Sequence, residues 1–304
     1  MDVFLTGANG FVGSYVLQAL LQHDHAVTCL LRDPAAPLAV DDDRVTRVAG
    51  DVTDPASLQG ALDGCDAMIH LVGIIDEQPG KGVTFERIHT EGTRHVVEAA
   101  QTAGIGTFIH MSANGAAPEG TGYQTSKWNA ELIVSDAAFK HWCIMRPSIV
   151  FGDPGPHNIE FASRLVDDLI RPFPVLPVFG DGQYQLQPVA VQAVAEGFAQ
   201  ALTTESAHGQ TFMVGGPDKL AYTEILDRIA KGWGHDPKPK AHVPLALAKL
   251  GVNTVGKLGL LPISPAQFAM LIGGNTGHAE PFNETFDVSH RPFTPRSLRY
   301  LRGR

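Results

Sequence analysis

With 304 residues, 44% of them hydrophobic, the chain is long enough to bury one large core or two smaller ones. A formal net charge of −9 and the lack of any basic run argue against a nucleic-acid-binding surface. The three cysteines, Cys29, Cys65 and Cys143, have neither disulfide nor metal spacing and read as structural thiols of a reducing compartment. The chain opens on an apolar strand, Val3–Leu5. A glycine turn (Gly7, Gly10, Gly13) follows, and then a helical pattern through Phe11, Val12, Tyr15, Val16, Leu17, Leu20 and Leu21. Further buried strands are expected at 26–31, 45–49, 67–72, 107–111 and 142–145, with helices at 55–62, 85–103 and 124–138 between them.

Short apolar strands alternating with amphipathic helices predict β-α-β units. The fold class is therefore α/β: a Rossmann-type doubly wound parallel sheet with a smaller, irregular, mostly helical C-terminal lobe. Residues 1–151 read as the Rossmann domain, to which segments at about 183–216, including a strand at 211–214, return. Residues 152–182 and 217–304 read as a substrate or partner lobe. In that lobe, 161–170 has helical spacing and reads as core. The apolar stretches 245–261 and 265–272 read as a surface for a hydrophobic substrate or a peripheral membrane contact. The stretch 243–262 is too short and too broken by Lys249, Lys257 and glycines to span a bilayer. A chain that opens directly into the glycine turn reads as having no leader, and the expected location is cytoplasmic.

The glycine turn carries the first chemical inference. Backbone without Cβ atoms lets a pyrophosphate reach a helix N-terminus, where free N–H groups and the helix dipole favour negative charge. The spacing here is G-x-x-G-x-x-G, and glycine at Gly10 is expected to need positive φ. Gly7, Asn9, Gly10, Phe11, Val12 and Gly13 are the expected cofactor contacts. The end of the second strand reads Leu30-Leu31-Arg32-Asp33. A guanidinium there suits a ribose 2′-phosphate, so Arg32 favours NADP(H) over NAD(H), while Asp33 keeps NAD(H) open.

Tyr123-Gln-Thr-Ser-Lys127 sets a phenol and an ammonium one helical turn apart on one face, after the fifth strand and its terminal Ser112. A nearby lysine is expected to lower the tyrosine pKa towards a range useful for acid–base work. With the glycine turn, this constellation resembles the short-chain dehydrogenase/reductase superfamily in its extended form, and the resemblance runs almost end to end. HTEGTRHVVEAA, RPSIVFG, QPVAV and MVGGPDKLAYTEIL are similar, more narrowly, to the branch holding the 39-kDa accessory subunit of respiratory complex I and its bacterial relatives.

The resemblance implies further site residues. The acid of GDVTD (Asp51, with Val52) would meet the adenine. HLVG (Leu71, Val72, Gly73) would line the cofactor, and RPSIVFG (Pro147, Ser148, Ile149) would close over its nicotinamide end. Tyr123 and Lys127 would be catalytic, with Ser112 or Asn114 orienting the substrate oxygen. His89 stands where extended enzymes usually carry an asparagine, and is counted with the cofactor contacts. No metal is expected, since the histidines lack zinc-site spacing. The function implied is an NADP(H)-dependent oxidoreductase on an apolar carbonyl, alcohol or quinone-like molecule. The alternative is a non-catalytic NADPH-binding module of a respiratory or quinone-biosynthetic assembly, and the third reading is a nucleotide-sugar epimerase or dehydratase.

Overall fold

The computed structural model describes residues 1–254 and 264–303. Seven parallel strands form the main sheet: β1 Asp2–Thr6, β2 Ala26–Leu31, β3 Val45–Ala49, β4 Ala67–His70, β5 Thr107–Met111, β6 His141–Pro147 and β7 Gln210–Val214. Their spatial order is 7-6-5-4-1-2-3. The order reverses between β1 and β4, which leaves a crevice at the carboxyl ends of those strands, where open α/β sheets bind ligands. The strands read as apolar runs without alternation because helices cover both faces. β4 is buried at all four positions, and Phe4, Met68, Phe108 and Ile144 share one core beneath α2 (Gly92–Thr102) and α3 (Gly122–Asp136).

The helices of this unit lie where the sequence places them, with differences in detail. α1 (Phe11–Gln22) begins at Gly10, whose φ of −78° is ordinary; the left-handed residue of the turn is Gly7, at φ 78°. The expected positive φ at Gly10 is thus corrected to Gly7. The helix expected at 55–62 is a single 3-10 turn, Pro55–Leu58, capped by Asp54, because glycines at 60 and 64 adopt φ of 70° and 81°. The pattern at 85–103 resolves into a wide π turn, Glu86–Glu91, running straight into α2. α3 is closed at its start by a capping box in which Thr121 and Gln124 satisfy each other's backbone N–H.

The chain forms two compact units. The first holds residues 1–147, 191–214 and 279–289. Within it, α5 (Val191–Ala201) packs on α1, and α9 (Glu280–Thr285) sets Phe282 and Phe286 against Phe212 of β7. The second unit holds 148–190, 215–278 and 290–304. Its core gathers Phe151, Val166, Ile170, Val178, Tyr222 and Phe293 around α6 (Tyr222–Trp233), which ends at Gly234 with φ 100°. Three short strand pairs complete it: 150–151 with 189–190, 185–186 with 220–221, and 176–179 with 240–243.

The segment 161–170, which opens as α4 (Phe161–Leu165), buries Ala162, Val166 and Ile170 as its spacing requires, while Ile159 and Phe173 beside it are exposed. Leu245, Leu247 and Leu250 of α7 (Leu245–Thr254) are exposed, and Phe268 of α8 (Pro265–Ile272) is buried against Phe179 and Val243. The part of the expected apolar surface at 255–261 lies outside the described residues. Among the described residues no helix is long and apolar enough to cross a membrane.

Candidate functional site

The glycine turn is built for close backbone approach. A Cβ on Gly13 would sit 1.9 Å from the Gly7 carbonyl oxygen, so α1 can lie against the end of β1 only with glycine there. A Cβ on Gly10 would meet nothing nearer than that same oxygen at 3.2 Å. α1 has no side-chain cap at Gly10, so its first turn keeps donors for a ligand. Phe11 packs edge-on to Tyr15, Val12 is half-buried, and Asn9 is exposed. A turn with this backbone, at the switch point, fits a dinucleotide pyrophosphate.

At the end of β2, Arg32 is exposed and, among the described residues, makes no hydrogen bond or ion pair, while the Asp33 carboxylate accepts the Ala35 N–H at 2.9 Å. The Asp51 carboxylate accepts from the Thr53 N–H (2.8 Å) and hydroxyl (2.9 Å), which closes the loop after β3. Val52 packs against Gly92 of α2. After β4, the Leu71 N–H donates to Thr6 Oγ1 at 3.3 Å, Val72 joins the core, and Gly73 is drawn against α3. A Cβ on Gly73 would lie 3.0 Å from Lys127 Nζ and 3.4 Å from His89 Nε2.

Tyr123 and Lys127 occupy one face of α3. Lys127 is 3% exposed, and its Nζ donates to the Met111 carbonyl at 3.1 Å. Burial pushes the ammonium down to about 8, with the Glu131 carboxylate one turn further on opposing that shift. Burial likewise pushes the Tyr123 phenol up to about 12. The expected lowering of the tyrosine by Lys127 is therefore corrected: loss of solvent governs both groups. Tyr123 is held edge-on by Phe85 and His89, each with ring centroids 5.5 Å away.

Of the two groups expected to orient a substrate oxygen, Ser112 is sealed. It is 1% exposed, and its hydroxyl has no partner among the described residues. Asn114 is half-exposed, with its N–H donating to the Pro147 carbonyl at 2.9 Å. Pro147 ends β6 in the first unit. Ser148 and Ile149 belong to the second, where Ser148 Oγ donates to the Gln187 carbonyl and the Ile149 carbonyl accepts from Val189.

Several contacts of the site escaped the sequence, from which Ser126 is expected only as a helix-face residue beside the cofactor. Ser126 connects His89 to the Tyr123 carbonyl, at 2.8 Å and 3.0 Å. Glu131 is 4% exposed and takes the Arg146 guanidinium through both oxygens, while Arg146 also covers Trp128. The i, i+4 spacing of Lys127 and Glu131 was the available signal. Beneath them, His70 and His110 are register partners on β4 and β5 with rings stacked at 5.5 Å. His70 Nδ1 meets Thr6 Oγ1 at 2.7 Å; its Nε2 and both nitrogens of His110 have no partner among the described residues. Burial holds His70 down at about 3 and His110 well below the usual histidine range. Among the described residues no three His, Cys, Asp or Glu side chains gather as a metal set.

A seven-stranded Rossmann sheet, a glycine turn at its switch point and a Tyr-x-x-x-Lys helix define a nicotinamide-dinucleotide protein. The chain belongs to the NAD dependent epimerase/dehydratase family, which it matches over residues 3–215. It is 33% identical over 264 residues to a ceramide reductase of Caulobacter vibrioides, covering 84% of this chain and 76% of that one. It is 28% identical over 267 residues to subunit 9 of the NADH dehydrogenase (ubiquinone) 1 alpha subcomplex of Mus musculus, covering 85% and 67%. A dTDP-glucose 4,6-dehydratase of Streptomyces antibioticus is 25% identical over 301 residues, covering 83% and 87%. Among solved structures, an NADPH-dependent quinone oxidoreductase of Escherichia coli complexed with NADPH superposes with a TM-score of 0.75 at 17% identity, covering 98% and 99%. The α/β architecture expected from the sequence is thus shared with that solved structure, while the named activities of these relatives differ.

Proposed function

We propose that the protein is an oxidoreductase that uses NADP(H) in preference to NAD(H) on an apolar carbonyl or alcohol, quinone-like molecules included. The observation that carries this reading is Lys127, buried one turn from Tyr123 with its ammonium fixed on the Met111 carbonyl. A buried cation so placed is costly without a task, and it is the group that holds a cofactor ribose in the enzymes this chain resembles. The bound dinucleotide supplies or accepts hydride. Tyr123 donates the proton to, or takes it from, the substrate oxygen, Asn114 orients that oxygen, and Lys127 holds the ribose. The turn from Gly7 to Gly13 takes the pyrophosphate, Asp51 and Val52 the adenine side, and the exposed Arg32 a 2′-phosphate. Exposed Ile75 and the Phe85 ring beside Tyr123 favour an apolar substrate, as does the name of the ceramide reductase relative.

One observation favours a second reading, a non-catalytic NADPH-binding module of a respiratory assembly. The phenol is raised to about 12, away from a working range, and a complex I subunit is among the relatives. Two variants separate the readings. For the enzyme, Tyr123→Phe lowers turnover by roughly two to four orders of magnitude with little change in NADPH affinity, and Lys127→Ala loses both. For the module, Tyr123→Phe is silent while Lys127→Ala lowers only the NADPH-linked melting temperature. Turnover on screened carbonyls, with melting temperature with and without NADPH, decides it. Undiminished turnover in Tyr123→Phe refutes the enzyme mechanism.

A further inference from the structure

We propose that His89 is a positioning residue: a neutral imidazole, protonated on Nδ1, that latches the loop after β4 to the helix bearing Tyr123. The direction of its hydrogen bonds fixes the tautomer. The Ile74 backbone N–H donates to His89 Nε2 at 3.0 Å, so that nitrogen presents its lone pair. The proton therefore sits on Nδ1 and is given to Ser126 Oγ at 2.8 Å. Ser126 in turn donates to the Tyr123 carbonyl at 3.0 Å, and the chain of donors runs one way from Ile74 to the backbone of Tyr123.

Two ring contacts seat the imidazole, and Gly73 leaves it room. The ring stacks on Phe85 at 5.5 Å with planes 21° apart, meets Tyr123 edge-on at 5.5 Å, and lies 3.4 Å from where a Gly73 Cβ would be. The wide turn Glu86–Glu91 brings it there, and Thr90 ties the same turn to α3, its hydroxyl reaching the Ser126 carbonyl at 3.4 Å. Both ring nitrogens are thus engaged. The imidazole is a strut between loop and helix.

The surroundings keep the strut uncharged. His89 is 1% exposed, and burial followed by the Lys127 ammonium on α3 holds it down at about 2, with His70 on β4 acting in the same direction. Protonation would also set an N–H on Nε2 against the Ile74 N–H that it now accepts. Lys127 is left as the cation of this layer.

The latch rests on the site assignment of the proposed function, but its tests need no turnover. Nitrogen-15 spectra of the histidine side chains, with His89 identified by its loss in His89→Gln, are expected to show an Nδ1-protonated neutral ring from pH 5 to 8. An Nε2-protonated or charged ring in that range overturns the proposal. Two variants give the second readout. His89→Phe keeps the stacking and breaks both hydrogen bonds; His89→Gln offers an amide oxygen to Ile74 and an amide N–H to Ser126. NADPH affinity by calorimetry is expected to fall about tenfold or more in His89→Phe and to be largely restored in His89→Gln. Unchanged affinity in His89→Phe, or equal losses in both variants, overturns the latch and leaves packing only. If His89→Phe does not fold, the wild-type spectra still decide. A protein that shows the latch yet no turnover would instead count against the enzyme reading alone.

Discussion

Gly13 and Gly10 lie three residues apart in one turn, yet the structure gives them different work, and alanine separates the two. At Gly13 a Cβ would stand 1.9 Å from the Gly7 oxygen, 2.7 Å from the Gly7 carbonyl carbon and 3.0 Å from the Ala8 Cα. All three are backbone atoms of the β1–α1 turn, so relief requires moving the helix off the strand by about 1 Å within a core of zero exposure at Val3, Phe4, Leu5 and Val16. Overpacking of that kind costs about 3 kcal/mol or more, which for a folding unit of this size lowers the melting temperature by roughly 6 °C or more. At Gly10 the contact would be 3.2 Å, φ is −78°, and the Cβ costs the apo protein little beyond a weaker helix start, about 1 kcal/mol. What Gly10→Ala removes is the approach of a pyrophosphate. NADPH at a hundred times its Kd stabilises by about 2.7 kcal/mol, and a hundredfold weaker site forfeits most of that. Melting curves of both variants with and without NADPH are the assay. Gly13→Ala should melt low with or without ligand; Gly10→Ala should melt near the parent and fail to rise with NADPH. A Gly13→Ala protein as stable as the parent, or a Gly10→Ala protein with the full NADPH shift, refutes this division of labour.

Arg32→Ala is expected to weaken NADPH roughly ten- to a hundredfold and NADH hardly at all in titration calorimetry, since a charge-assisted pair to a 2′-phosphate is lost; equal losses refute the preference. Lys127 gives a stability change in alkali. Its folded pKa, about 8, lies below the ordinary 10.5, so between those values the unfolded chain holds the extra proton and stability rises with pH, by at most about 1.4 kcal/mol per unit. The raised thiols of Cys29, Cys65 and Cys143 pull the other way in both proteins. Urea midpoints at pH 7.5 and 9.5 should therefore show the rise as a difference between parent and Lys127→Met that grows with pH; a difference that does not grow shows that the ammonium is not desolvated. His70, His89 and His110 act on the acid side. All three are held neutral in the fold, so stability is lost as pH falls below about 6.5, where the unfolded chain takes up protons. His110→Leu removes one such group and two unpartnered buried nitrogens. It should melt above the parent, by a margin that widens from pH 7 to pH 5; a constant or negative margin refutes the assignment.

The strands were legible because each is a short apolar run bounded by turn residues, and burial on both faces removes any need for alternation. The 55–62 segment was not, because two left-handed glycines decide its course and their φ values are a tertiary matter. The wide turn before α2 escaped for a related reason. Its composition is that of an ordinary helix, and the extra residue is absorbed only where His89 must reach Ser126. In the site, the residues with a spacing rule were visible: the glycines of the turn, and Tyr123 with Lys127. Residues whose role comes from a partner far along the chain were not, as with the Ile74 N–H, the Met111 carbonyl and Ser126.

The same distinction accounts for the pKa of Tyr123. Helical spacing says that Lys127 is near, and nearness suggests that a cation lowers a phenol. The structure adds what spacing cannot carry, namely that the ammonium is buried and committed to a carbonyl, and that burial raises the phenol. Burial governs the phenol, which by itself is a poor acid–base group. The proposed chemistry therefore depends on what binds: ribose hydroxyls that share Lys127 with Met111 would be the groups that couple ammonium to phenol. Tyr123 ionisation, followed by ultraviolet absorbance difference between the parent and Tyr123→Phe, should accordingly fall from about 12 towards neutrality when NADP⁺ is added. A titration unmoved by the dinucleotide would remove the acid–base role from Tyr123 and leave Lys127 as an anchor of the cofactor alone.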